Sequence, residues 1–173
     1  MLDIERELKL LAEYKIDSVI IGGIAARAHG SSYETSDLDV CYARDRENLD
    51  KLAAALQAVH ATLRGAPKDI PFRLDAETLR RGLDFTFETD IGALDLLGEV
   101  RGVGGFDECL ENCLEIEMFG HAFKVLALDK LVIAKRTAGR PKDLMMLPEA
   151  ILEYEKARDD VAGENRNDDD TES

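Results

Sequence analysis

Two aspartates separated by one residue, Asp37 and Asp39 in Asp37-Leu38-Asp39-Val40, follow a diglycine, Gly22-Gly23, with thirteen residues between Gly23 and Asp37. Side chains of an extended strand alternate with a period of two, so the two carboxylates project to one face while Leu38 and Val40 point to the other. Paired oxygen ligands suit a hard cation, and magnesium commonly combines one or two carboxylates with substrate phosphates. The diglycine follows the β-branched run Ser18-Val19-Ile20-Ile21 and precedes IAARAH, residues 24–29. Residues that lack a Cβ let the backbone approach an anion, and a helix opening just beyond them aims its N–H groups at the same point. The chemistry this segment suits is therefore a phosphate held beside a divalent ion.

The rest of the chain must supply elements that hold those groups. An amphipathic helix is expected from the amino terminus to near Lys15, then a strand over residues 18–21, a short helix, a loop over 30–36 and a strand over 37–42. Asp45 is a candidate cap for a helix over 46–60, and Asp75 for one ending at Arg81. Residues 84–88 and 93–97 read as a hairpin, and 114–119 with 122–126 as a second one. Residues 98–105, rich in glycine, read as a flexible connector, since no strand-to-helix dinucleotide fingerprint surrounds them. Residues 106–113, 129–138 and 142–156 read as helices, the last two joined by Gly139-Arg140-Pro141.

Composition sets the outer limits. A chain of 173 residues fits one domain, expected here over 1–157, and residues 158–173, an acidic stretch with little to bury, are expected to be disordered. A formal charge of -14 disfavours coating nucleic acid through the overall field, though it leaves room for a local basic patch. Lys135, Arg136, Arg140 and Lys142 form such a patch, where a triphosphate or RNA phosphate would be welcome; as helix-end cations they also complement a dipole. Three cysteines without a CxxC pair argue against a disulfide framework or a zinc site, and His29 has no second histidine at ligand spacing. Neither a membrane-spanning apolar run nor a secretory pattern is present, so a cytoplasmic location is the expectation.

The segment from Val19 to Val40 resembles the signature of the DNA polymerase β-type nucleotidyltransferase superfamily: a hydrophobic residue, Gly-Gly or Gly-Ser, a spacer, then an acid-hydrophobic-acid strand. The resemblance implies a third carboxylate from a later strand. Asp95, between Leu94 and Leu96, is the best candidate, ahead of Asp84 and Asp90, because an acid among apolar neighbours needs a reason to be there. The run LDKLVIAKRTAGRPKDL, residues 128–144, is similar to the closing motifs of the small AbiEii-like abortive-infection nucleotidyltransferases. On that mapping Lys135 matches the helix lysine, Arg140 the next basic residue and Lys142-Asp143 the terminal pair, with Asp143 orienting Lys135 or capping the last helix. Several such relatives carry a basic residue after their counterpart of His29-Gly30, where this chain has Ser31-Ser32-Tyr33.

What the resemblance implies is an α/β nucleotidyltransferase fold with a mixed, mainly antiparallel sheet flanked by helices. It implies an NTP substrate held by Gly22, Gly23, Lys135, Arg140, Lys142 and Asp143, and two Mg2+ ions on Asp37, Asp39 and Asp95. The expected reaction moves an NMP to an acceptor hydroxyl, on tRNA or a partner protein in a toxin–antitoxin or phage-defence setting. A small-molecule acceptor of the antibiotic type and a non-catalytic binding module, contacting a partner or antitoxin, are the alternatives.

Overall fold

The structure, a computed structural model, describes residues 3–67, 69–141, 145, 151–152, 155–156 and 159. Lys142, Asp143, most of the helix expected over 142–156 and nearly all of the expected tail lie outside the described residues. Among the described residues no helix is long and apolar enough to cross a membrane.

Three helices begin where the sequence offers an acidic cap. Asp3 accepts the Arg6 N–H at 3.1 Å to open α1 (Ile4–Glu13), Asp45 accepts from Asn48 at 3.0 Å to open α3 (Arg46–Ala58), and Asp75 accepts from Thr78 at 2.8 Å to open α4 (Ala76–Arg81). The far end of α4 is closed from outside, because Arg44 donates to the carbonyls of Arg80 and Gly82 and to the Tyr42 hydroxyl, which itself donates to Leu83. Further helices among the described residues include α2 (Gly22–Ala28), α5 (Phe106–Glu111) and α6 (Leu128–Ala138). Expectation put the start of α2 after the diglycine, but the helix takes in both glycines, with the extended Ile21 as its cap residue.

Seven strands form one sheet in the order β3-β4-β5-β2-β1-β9-β8: β1 (Ser18–Ile21), β2 (Asp37–Tyr42), β3 (Thr62–Leu63), β4 (Phe85–Thr89), β5 (Gly92–Leu97), β8 (Cys113–Met118) and β9 (His121–Leu126). The hairpins pair antiparallel, as does β1 with β2, whereas β2 with β5 and β1 with β9 run parallel. The mixed, mainly antiparallel α/β architecture is the expected one. Both strands are internal to the sheet: β1 buries Val19, Ile20 and Ile21, whereas β2 buries Leu38 and Val40 on one side and leaves Asp37 and Asp39 half-buried on the other. Helices α2 and α5 pack on this centre, and α6 packs on α2.

Residues 98–105 are not a loose connector. They form a small antiparallel ribbon, β6 (Glu99–Val100) with β7 (Gly104–Gly105), whose turn is pressed against α6 so closely that a Cβ on Gly102 would lie 2.6 Å from Thr137 Oγ1. Glycine at 102 is required by that approach and by its positive φ of 82°. Strand β3, only two residues long, is too short to leave a periodicity that sequence inspection can detect.

Candidate metal and nucleotide site

Register decides which acids meet. Parallel pairing sets Asp39 of β2 directly beside Asp95 of β5, with Asp37 beside Ala93 and, on the other flank, Asp39 opposite Ile21. Among the described residues, Asp37, Asp39 and Asp95 are the one group of three potential ligands whose oxygens all lie within 4.8 Å of one another. The two weaker choices for the third carboxylate fall outside this group, although Asp84 lines the cavity that Asp37 and Asp39 face. Asp84 accepts the Gly98 N–H at 3.0 Å, and Asp90 is paired with His60.

The diglycine fits tightly around the acids. Gly22 has a φ of 64°, and a Cβ there would lie 2.1 Å from Asp39 Oδ2, so a side chain at this position would displace the carboxylate. At Gly23 a Cβ would lie 2.5 Å from Thr35 Oγ1. Thr35, which sequence reading did not single out, brings its hydroxyl to 3.0 Å from Asp37 Oδ1 and 3.2 Å from the Asp37 carbonyl. The sequence signal for it was a threonine two residues before an acid, a spacing at which hydroxyls commonly bond locally.

Asp37 and Asp39 open into a cavity of about 350 Å³, a size suited to a nucleotide. Gly22, Gly23 and Thr35 line it near the acids, Arg101 comes from the ribbon turn, and Lys135 and Arg140 come from the end of α6 and just beyond it. Lys135 is buried in the last turn of α6. Asp95 does not line this cavity, and Tyr33 and Glu99, missed in the sequence, do. His29, expected to be structural or at the rim, bonds the Leu126 carbonyl through Nε2 at 2.8 Å.

Charge is concentrated here. Two like unit charges about 4 Å apart repel by roughly 4 kcal/mol at an effective dielectric near 20, so bringing three acids together has an electrostatic cost. Their field extends to Glu7 on α1, whose carboxyl is buried with neither oxygen meeting a hydrogen-bond partner. Burial first, then the charges of Asp3, Asp37 and Asp95, push the Glu7 pKa up to about 8 from 4.5. A convergent all-oxygen set beside a backbone cradle is a donor set for a hard cation, so the residues present fit magnesium. Further along the same face of β2, Cys41 meets Cys109 of α5; that hydrogen bond, together with burial, pushes the Cys41 thiol up and keeps it protonated, and all three cysteines are unbridged, as expected.

No protein-family model matches the chain, and no curated protein matches it in sequence. Solved structures do. The crystal structure of ANT(2'')-Ia in complex with adenylyl-2''-tobramycin is similar with a TM-score of 0.54 and 15% identity, over 94% of this chain and 89% of that one. The solution structure of the antibiotic-resistance factor ANT(2'')-Ia is similar with a TM-score of 0.53 and 13% identity, over 95% of this chain and 94% of that one. At such identities the likeness is one of fold, and the fold is that of the nucleotidyltransferases, as the resemblance implied.

Proposed function

We propose that this chain transfers a nucleoside monophosphate from an NTP to an acceptor hydroxyl. The observation that carries the reading is the convergence of Asp37, Asp39 and Asp95 within 4.8 Å beside Gly22, where a Cβ would displace the Asp39 carboxylate. Gly22 and Gly23 would admit the phosphates, and Lys135 and Arg140 would bind them electrostatically, with Lys142 and Asp143 assigned to the same task by resemblance alone. Two magnesium ions held by the three aspartates would, when bound, supply Lewis-acid stabilisation of charge on the α-phosphoryl oxygens. Asp95, on the strand whose Leu97 lines the cavity, would take the acceptor proton as the acceptor oxygen bonds to the α-phosphorus and pyrophosphate leaves with the electron pair of the broken P–O bond.

For the acceptor, resemblance to the AbiEii-like enzymes favours tRNA or a partner protein in a toxin–antitoxin or defence setting. A second reading, a small molecule, draws on a further cavity of about 420 Å³ lined by Ser36, Arg64, Glu88, Thr89 and Asp90, whose acids suit a polyol or amine better than a polyanion. It also draws on the adenylylated tobramycin in the complex of ANT(2'')-Ia. The test is incubation with radiolabelled NTPs, magnesium and each acceptor class. Label transfer lost in Asp39→Asn is the expected result. A protein that neither transfers label nor binds NTP in a magnesium-dependent way, yet keeps a partner, would be a binding module instead.

A further inference from the structure

Arg64 follows the two-residue strand β3 and belongs to none of the motifs that carry the site. Its backbone N–H donates to the Thr86 carbonyl at 2.9 Å, and Thr86 is the residue that register sets opposite Asp95. Its guanidinium is fixed from several sides: Nη2 donates to the Phe87 carbonyl at 3.2 Å and to Asp95 Oδ1 at 2.8 Å, and Nε lies 3.4 Å from a Glu88 oxygen. The Asp95 side chain is 16% exposed and that of Arg64 35%, so this pair is screened far less than one at the open surface.

We propose that Arg64 is a positioning residue for the carboxylate cluster: it sets the orientation of Asp95 and neutralises one of the three acids before any cation arrives. The proposal rests on the reading of the cluster as a cation site. Arg64 pairs with Asp95 and so offsets one of the negative charges of the cluster. The bond from Arg64 to Oδ1 restricts rotation of the Asp95 carboxylate and so favours one orientation towards Asp37 and Asp39. Strand β3, short as it is, serves to bring this cation to the side of β5 remote from β2.

The experiment uses the full chain and Mn2+ alone, with free Mn2+ counted by its electron paramagnetic resonance signal. Wild type binds Mn2+, and Arg64→Gln binds it roughly fivefold to tenfold more tightly, since a unit of negative charge is uncovered. Arg64→Lys, which keeps the charge, stays near wild type. In an Asp95→Asn background Arg64→Gln changes affinity less than about twofold, because the effect acts through that carboxylate. A merely structural residue would weaken metal binding when removed, so tighter binding separates the two roles. Arg64→Met carries the same expectation should Arg64→Gln fail to fold. Equal or weaker Mn2+ binding by a folded, uncharged variant would overturn the role of Arg64 while leaving the cluster intact, and a wild type that ignores Mn2+ would overturn the cation site itself.

Discussion

Two buried polar side chains, Asn48 on α3 and Glu7 on α1, solve the same problem in opposite ways. Asn48 is wholly buried and fully bonded: its amide donates to the carbonyls of Asp17 at 3.0 Å and Ala43 at 2.8 Å, and its oxygen accepts the Asp17 N–H at 2.8 Å. One side chain thereby ties α3 to the ends of β1 and β2. Glu7 is as deeply buried, yet has no bond to either oxygen and lies in the field of Asp37 and Asp95. The first arrangement is what a domain does with a polar group for stability. The second is a local penalty that persists beside the cluster of acids, where charge has been gathered for another purpose.

The contrast can be broken by substitution. Asn48→Ala should cause the largest change, a loss of about 3 kcal/mol in urea unfolding, since three backbone groups lose their partner at once. A loss below about 1 kcal/mol would mean that water replaces the amide and that the two helices do not differ as argued. Glu7→Gln should change stability the other way. The folded carboxyl holds its proton more tightly than the unfolded one, so its contribution is complete below pH 4.5 and is lost as pH rises towards 8. The variant should therefore match wild type near pH 4.5 and exceed it by up to about 2 kcal/mol at pH 7, read from unfolding curves across that range. A constant difference at all pH values would assign the effect to packing instead of charge. The smallest effect is expected at Thr35→Val, which removes the hydroxyl beside Asp37: about threefold weaker Mn2+ binding, with stability changed by about 1 kcal/mol or less.

Much of this was legible before any coordinates. Asp37 and Asp39 declare a shared face because strands alternate, and Asp45 and Asp75 declare caps because an acid stands just before an amphipathic run. Asp95 was readable as an acid between leucines. Arg64 was not, since its position depends on a strand too short to have a period and on pairing with residues more than twenty positions away. Glu7 carried a signal that went unused: with Ile4, Leu8 and Leu11 it falls on the inward side of α1 by helical spacing. The ribbon over residues 99–105 was misread because glycine that permits close packing and glycine that permits looseness look alike in composition.

The insertion of β2 between β1 and β5 has a consequence for how the molecule is made. Asp39 and Asp95 are neighbours only through parallel pairing of strands separated by an intervening α3, β3, α4 and β4. Such distant pairing is slow to form, and a chain emerging from the ribosome cannot assemble the triad until β5 has been synthesised and has docked. Half-made or misregistered copies therefore lack the site altogether, and any activity appears only once assembly is complete.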